Sequence, residues 1–238
     1  MPRLRRLYVA ELPAAGGAVE LPRESLEHVH VLRLNAGAEV ELFDGRGGSA
    51  RAELTSVTRS RASCLAQPPS AAVKQTDLQL IVCLPKAGKL ETVVRMTTEL
   101  GVSALHLAQS ERSVPKPSGD AAKLDRLRRV AREACAQSGQ PFVPELHAPS
   151  PLALCAARAA PNAHKLLFWE QASAPLPAAL RGEVWAVIGP EGGLSAEEAE
   201  ILRANGYAAH SLGSHILRAE TACVVITALL LDRLRAHA

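Results

Sequence analysis

The feature that most constrains this chain is a glycine loop that separates an apolar strand from a helix. Residues 184–188 form an apolar run typical of a buried strand, and Gly189-Pro-Glu-Gly-Gly193 follows at once. Ser195 then begins a helix, with Glu198 three residues later as a capping box. In open α/β sheets ligands bind at the carboxyl ends of strands, where glycines expose bare backbone. A tight turn without a ligand explains the same residues equally well.

A second glycine loop follows further along the chain. Residues 210–212 predict a short strand, Gly213 follows it, and Arg218, Glu220 and Thr221 stand just before an apolar helix. Read alone, capping of that helix by Thr221 or Glu220 explains these polar residues better than catalysis does. We expect the two loops to end adjacent strands and to form the walls of one crevice. Neither loop has the GxGxxG or Lys-Ser/Thr pattern of a nucleotide-phosphate site.

The composition indicates an ordinary globular protein that is mildly basic. Hydrophobic residues make up 47% of the 238 positions and charged residues 21%, which excludes a wholly disordered chain. The net charge of +3 permits a nucleic-acid partner without requiring one. Aromatic residues are only 3%, so RNA recognition would depend on arginines more than on stacked rings.

The cysteine spacing and the hydropathy of the chain indicate whether it binds a metal and where in the cell it is located. The five cysteines have no metal-clip spacing, and His, Cys and Asp do not cluster, so we predict free thiols and no metal site. The start of the chain lacks the apolar stretch of a secretory signal, and the longest apolar run, 222–231, is too short to span a membrane. These features predict a soluble cytoplasmic protein.

The sequence changes character at Pro68-Pro69-Ser70. Before this break, short predicted strands with glycine turns indicate a small β-barrel domain over residues 1–70. After it, strands alternate with helices, which predicts a mainly parallel α/β sheet with both faces covered over residues 71–238. The predicted strands are 4–9, 39–43, 49–57, 62–67, 78–84, 104–108, 166–169, 184–188 and 210–212. The predicted helices are 23–34, 89–100, 121–138, 152–159, 195–205 and 220–235.

The two glycine loops resemble the paired signatures of a known enzyme family. Ile188-Gly-Pro-Glu-Gly-Gly-Leu-Ser195 and Leu212-Gly-x-x-Ile-Leu-Arg-x-Glu-Thr-Ala222 are similar to those of the 16S ribosomal RNA uracil-N3 methyltransferases, which belong to the SPOUT class of S-adenosylmethionine enzymes. The likeness covers nearly the whole chain. It extends to His28-x-x-x-Leu-Arg33, Leu42-Phe-Asp-Gly45, Glu99-Leu-Gly-Val102, Ser110-Glu-Arg112 and Glu133-Ala-Cys-Ala-Gln-Ser138.

The resemblance implies a fold and an activity that spacing alone does not show. Residues 71–238 would form a SPOUT domain with a deep trefoil knot, although threaded chains are very rare. Residues 1–70 would form a PUA-like barrel that helps to bind ribosomal RNA. The protein would be a homodimer that binds S-adenosyl-L-methionine and methylates N3 of one uridine in 16S rRNA of the small ribosomal subunit.

The resemblance also implies site residues. Arg218 would stabilise negative charge on the uracil, and Glu220 would be a general base or a helix cap. Glu191 would face the cationic ligand or cap the following helix. The expected cofactor-binding residues are Leu167, Ile188, Gly189, Pro190, Glu191, Gly192, Gly193, Leu212, Gly213, Ile216, Leu217, Thr221 and Ala222. Among these, Leu212, Ile216 and Leu217 would enclose the adenine.

Basic residues supply the expected RNA contacts, and two departures from the family pattern remove positive charge. Phosphate contacts are expected from Arg3, Arg5, Arg33, Lys86, Lys89 and Arg112. The family often has Pro-Arg where this chain has Ser214-His215, and an arginine near Gln140. These departures leave open a non-catalytic RNA-binding protein with a degenerate knot domain, which would not bind the cofactor.

Overall fold

A computed structural model of the chain describes residues 4–86, 88–113 and 121–236. Within them the chain forms two compact units, one from residues 1–74 and 132–143 and the other from 75–131 and 144–238. The elements are β1 (Arg5–Tyr8), β2 (Gly17–Glu20), α1 (Arg23–Val31), β3 (Glu39–Phe43), β4 (Gly48–Val57), β5 (Ala62–Ala66), β6 (Ser70–Ala71), β7 (Asp77–Cys83), α2 (Leu90–Leu100), β8 (Ala104–Gln109), α3 (Ala121–Ser138), β9 (Glu145–Pro151), α4 (Leu152–Ala156), β10 (His164–Phe168), β11 (Glu183–Ile188), α5 (Ala196–Ala204), β12 (Ala208–His210) and α6 (Ala219–Arg235).

The first unit is built on a six-stranded sheet. Its strand order is β1-β3-β4-β5-β2, and β6 pairs with β4. All of these pairs are antiparallel except β1 with β3. Alternate residues of β3, β4 and β5 point inward, so Val40, Leu42, Leu54 and Cys64 are fully buried in its core. Sequence reasoning missed β2 and β6, which are short and largely exposed.

Residues 132–143 belong to the first unit although they lie far from it in the sequence. The N–H of Val143 donates to the Gly45 carbonyl at 2.8 Å. Gly45 has a φ of +69°, and a Cβ there would lie 2.6 Å from a methyl carbon of Val143. The buried Arg6 guanidinium donates to the carbonyls of Cys135 and Gln140 and pairs with Glu41 at 2.6 Å. These contacts join the segment to the first sheet.

The second unit contains a parallel six-stranded sheet, as the alternation of strands and helices predicts. Its order is β12-β10-β11-β7-β8-β9, and every neighbouring pair is parallel. Helix α6 packs against α2, β7 and β11, while α4 contacts α5, β7, β8 and β9. Sequence reasoning missed β9, because its polar residues and prolines are unusual in a strand and occur mainly at sheet edges.

Several predicted helix boundaries are confirmed by local stereochemistry. Helix α2 ends at Gly101, which takes the left-handed conformation with φ of 102°. Helix α5 begins at Ser195 with the predicted capping box. Two predicted helices are too long. The helix predicted over 23–34 ends at Val31, and Arg33 has a positive φ of 54°, which a helix cannot contain. The helix predicted over 152–159 ends at Ala156.

The cysteines and the hydropathy of the helices complete the description. All five cysteines are free and buried, and burial raises the pKa of the Cys64 thiol to about 11 and that of Cys135 to about 12. None of the described helices has the length and apolar character needed to cross a lipid bilayer. No cluster of metal-ligating side chains occurs within the described residues.

Candidate active site

Both glycine loops lie at the carboxyl edge of the parallel sheet, but the strands before them are not neighbours. Strand β10 lies between β11 and β12 and pairs with both. The prediction of adjacent strands is therefore wrong, because chain order alone does not determine strand order. The residues that follow β10 lie between the two loops. Three segments of the chain, rather than two, therefore form the crevice.

A cavity of about 290 Å³ lies between these loops and the start of α6. Most of the expected cofactor residues line it, namely Ile188, Gly189, Pro190, Glu191, Gly192, Gly193, Leu212, Gly213, Ile216, Leu217 and Ala222. Its floor includes side chains that sequence reasoning missed, namely Phe168, Trp169, Glu170 and His210. The cavity thus brings together segments that the sequence separates by some 50 residues.

Two expected cofactor residues lie outside the cavity lining. The Leu167 side chain is fully buried in the core that contains Ile81, Val187 and Leu202. Side chains alternate along a strand, so its neighbour Phe168 lines the cavity instead. Thr221 is exposed, one turn into α6. No signal in the sequence indicated Phe168, because residues 166–169 are a continuous apolar run without alternation.

Local contacts hold the first glycine loop tightly. Gly193 has a φ of +70°, and its N–H donates to the Pro190 carbonyl at 2.9 Å. The Arg112 guanidinium donates to the Gly192 carbonyl at 2.9 Å. Leu194 is 2% exposed and anchors the loop in the core of the second unit. These contacts fix the conformation of the loop, which forms one side of the cavity.

Lys89 links three segments around the site. Its Nζ lies 3.1 Å from Oε1 of Glu191 and 3.0 Å from Oε2 of Glu220. The backbone N–H of Lys86 also points at the Glu191 carboxylate, 3.3 Å from each oxygen. The loop after β7, the first glycine loop and the start of α6 are therefore connected through one ammonium group.

Lys89, Glu191 and Glu220 stabilise one another in their charged forms. Hydrogen bonds to Glu220 and then Glu191 raise the pKa of Lys89. Burial raises the pKa of Glu191, but hydrogen bonds from its own backbone, Lys89 and Lys86 outweigh this, so the pKa is lowered. A hydrogen bond from its own backbone, followed by Lys89, lowers the pKa of Glu220. Ser195 and Glu198 cap α5, so Glu191 has no capping role there.

The second glycine loop and Arg218 are more exposed than the first loop. The backbone N–H of Gly213 donates to Ser211 Oγ at 3.1 Å, and the Ile216 side chain is 89% exposed. Arg218 is the N-cap residue of α6, without a capping hydrogen bond from its side chain. Thr221 is not the N-cap, since α6 begins before it. Glu220 lies in the first turn, where its carboxylate accepts a hydrogen bond from its own backbone, which fits the interpretation that it acts at the positive end of the helix.

The expected RNA-binding residues have different surroundings. Arg5 on β1, Arg33 after α1 and Lys86 after β7 are exposed. Lys89 is paired with two carboxylates, and Arg112 is hydrogen-bonded to the first glycine loop. Arg3 lies outside the described residues.

The cavity lining fits a cationic nucleoside that lacks phosphates. Its charged members are the carboxylates of Glu170 and Glu191, and no lysine or arginine is among the described lining residues. Trp169 Nε1 and His210 Nε2 are buried polar atoms without a hydrogen-bond partner in the described part of the chain. The other ring nitrogen of His210 lies 2.7 Å from the Pro175 carbonyl. Such orphaned atoms suit a ligand that carries its own donors and acceptors.

Comparisons with known families identify the family of the chain. The model of the RNA methyltransferase domain matches residues 73–231, and the model of the RNA methyltransferase PUA domain matches residues 21–66. The chain belongs to this family of RNA methyltransferases, whose curated members similar to it are named ribosomal RNA small subunit methyltransferase E. Its α/β domain with a parallel sheet and its PUA-like domain are those of the family.

The similar proteins match over most of their length. The relative from Synechocystis sp. is 32% identical, and the match covers 94% of this chain and 76% of that relative. The relative from Bacillus subtilis is 31% identical, and the match covers 84% of this chain and 84% of that relative. A ribosomal RNA small subunit methyltransferase E from Neisseria gonorrhoeae, solved bound to S-adenosyl methionine, is 26% identical with a TM-score of 0.90 over 97% of this chain and 98% of that one. A Legionella pneumophila structure in complex with the same cofactor is 28% identical with a TM-score of 0.90 over 97% and 98%.

Proposed function

We propose that this protein is an S-adenosylmethionine-dependent methyltransferase that places a methyl group on N3 of a uridine in 16S rRNA of the small ribosomal subunit. The single observation that carries the proposal is the cavity between the two glycine loops, which is free of phosphate-binding lysines and lined by carboxylates. Relatives with the same two domains carry the name ribosomal RNA small subunit methyltransferase E, and two of the similar structures hold this cofactor.

A Cβ at Gly189 would lie 3.2 Å from Leu194 and one at Gly192 would lie 3.3 Å from Arg112, so glycine lets the loop pack closely against these side chains. In this proposal the bare backbone of the loop also faces the cofactor. Leu212, Ile216 and Leu217 enclose the adenine from the other side. The deep trefoil knot belongs to this proposal, since both loops are the family's knotted segments. Bound S-adenosylmethionine supplies an electrophilic methyl group on a positively charged sulfur.

The reaction requires that uracil N3 lose its proton before or during methyl transfer. The N3–carbon bond then forms as the carbon–sulfur bond breaks, and the electron pair stays on sulfur. The lost proton leaves negative charge on O2 and O4 of the base. Arg218 lies beside the cavity residues Leu217 and Ala219, where an exposed guanidinium can stabilise that charge.

The surroundings of Glu220 favour a positioning role over general base catalysis. Its carboxylate is paired with Lys89 at 3.0 Å, and its pKa is lowered, so it is a weak proton acceptor. In this position it holds the start of α6 against the loop after β7. Solvent or the RNA itself then takes the N3 proton.

RNA binding and assembly complete the proposal. Arg5, Arg33 and Lys86 contact RNA phosphates, since each is exposed and none is committed to a carboxylate in the described structure. The first unit, which contains the predicted barrel of residues 1–70 together with residues 132–143, binds RNA, and the rest of the predicted 71–238 domain is the catalytic module. The active form is a homodimer in the cytoplasm, with RNA bound across both subunits.

Methylation of defined ribosomal particles tests the proposed function. The protein is incubated with labelled cofactor and 30S subunits from a strain that lacks the modification, and the 16S rRNA is digested. We expect labelled 3-methyluridine from one site. Absence of that nucleoside, together with no calorimetric heat for S-adenosylhomocysteine, would support the non-catalytic RNA-binding alternative.

A further inference from the structure

Glu170 occupies a position in the cavity that the sequence did not reveal. It follows β10 by two residues and lines the cavity between the two glycine loops. A Cβ at Gly193 would lie 2.7 Å from Oε1 of Glu170. The carboxylate of the exposed Glu170 therefore lies close to the backbone of the first glycine loop.

The two carboxylates that line the cavity differ in whether a cationic side chain balances their charge. Glu191 has the Lys89 ammonium at 3.1 Å. In the described part of the chain, no side chain forms an ion pair or hydrogen bond with the Glu170 carboxylate. An unpaired carboxylate at the edge of a cavity leaves that cavity with a negative potential.

The neighbouring arginine side chains interact with groups other than Glu170. Arg203 lies over the Trp169 ring, 4.8 Å from its centroid, and pairs with Glu200 at 3.4 Å. Arg112 donates to the Gly192 carbonyl. Glu170 is exposed, so water solvates part of its charge, and its carboxylate is available to a cationic ligand in the cavity.

We propose that Glu170 is a specificity-determining residue that makes the cavity prefer the sulfonium donor over its neutral thioether product. The inference rests on the proposed function. Methyl transfer removes one positive charge from the cofactor, because the electron pair of the broken carbon–sulfur bond stays on sulfur. The carboxylate attracts the donor before transfer and loses that attraction afterwards, which favours exchange of product for fresh donor.

Binding constants for donor and product test this directly. Isothermal calorimetry measures S-adenosylmethionine, S-adenosylhomocysteine and sinefungin, which carries an amine in place of the sulfonium, on wild type and on Glu170→Gln. We expect the variant to lose affinity for the two cationic ligands by roughly three- to fivefold while its affinity for S-adenosylhomocysteine is unchanged, the range of a partly solvated charge pair. Glu197→Gln, at an exposed position on α5, is the matched control and leaves all three affinities unchanged.

The outcomes separate this inference from the proposed function. Equal changes for all three ligands, or no change, would overturn the role of Glu170 while leaving the cofactor site in place. Failure of wild type to bind any of them would instead overturn the proposed function. A second measurement needs no variant: the wild-type preference for donor over product decreases as salt rises, because screening weakens a charge interaction open to solvent. A preference independent of salt would also count against Glu170.

Discussion

The two glycine loops that enclose the cavity are held in opposite ways. The first, residues 189–194, is anchored by the buried Leu194, by Lys89 through Glu191 and by Arg112 through a backbone carbonyl. The second, residues 211–218, has fewer anchoring contacts: Ser211 and Gly213 hydrogen-bond to each other, the Ser211 N–H donates to the Ala174 carbonyl at 2.9 Å, and Ile216 is 89% exposed.

This difference teaches that the two walls have different tasks. A segment with many buried contacts opens rarely, whereas one with few is free to adapt to a ligand. The first loop therefore sets the shape of the cavity before any ligand arrives. In the proposed function, the second loop supplies apolar cover and Arg218 once the ligand is present.

The largest effect is expected from Gly193→Val in the first loop. Valine strains a backbone with φ of +70° and places its Cβ against Glu170, so cofactor binding is lost. Calorimetry with S-adenosylhomocysteine measures this. Gly182→Val is the matched control, because Gly182 has nearly the same φ of +71° but nothing within 4 Å of its Cβ position. Normal binding by the Gly193 variant would place the ligand elsewhere.

Arg218→Ala should separate chemistry from binding at the second loop. We expect turnover to fall at least tenfold, about 1.4 kcal/mol of barrier, with cofactor affinity nearly intact, since the guanidinium acts on the uracil rather than the cofactor. Single-turnover methylation of 30S subunits and calorimetry provide the two readouts. Wild-type turnover in this variant would remove Arg218 from the reaction.

Truncation of one apolar side chain in each loop sharpens the comparison. Leu194→Ala opens a void in a core and should cost about 3 kcal/mol of unfolding free energy. Ile216→Ala should change stability by less than about 0.5 kcal/mol, because Ile216 is exposed, yet weaken S-adenosylhomocysteine binding roughly fivefold if the ligand covers this side chain as we propose. Urea unfolding and calorimetry measure both. Equal destabilisation by the two variants would contradict the distinction between the loops.

The smallest effect concerns the pH dependence of the unfolding free energy that arises from Lys89, Glu191 and Glu220. Both Glu191 and Glu220 have lowered pKa values in the folded protein, so their contribution to stability is present above the unfolded pKa of about 4.3 and is lost as pH falls through the folded values. Lys89→Met removes the shared partner. We therefore expect the unfolding free energy of the variant to fall less steeply than that of wild type between about pH 5 and pH 3. Parallel slopes in urea unfolding would show that the backbone donors alone set the two pKa values.

Sequence reasoning predicted most of the elements but missed β2, β6 and β9 and several contacts between elements. The α3 bounds, the Ser195 capping box and the left-handed Gly101 follow from residues within one or two turns of each other. Glu170 was missed because an isolated glutamate after a strand carries no pattern. The pairing of Lys89 with Glu191 and Glu220 was missed because it joins residues more than a hundred positions apart.

The amino-acid sequence by itself determined the alternation of strands and helices, the two glycine loops and the family signatures, since these depend on periodicity, capping and short-range stereochemistry. Only the tertiary structure decided that β10 lies between β11 and β12, that Leu167 points away from the cavity while Phe168 lines it, and that residues 132–143 join the first sheet. These outcomes depend on which distant surfaces pack together, and packing between distant segments leaves no local pattern in the chain.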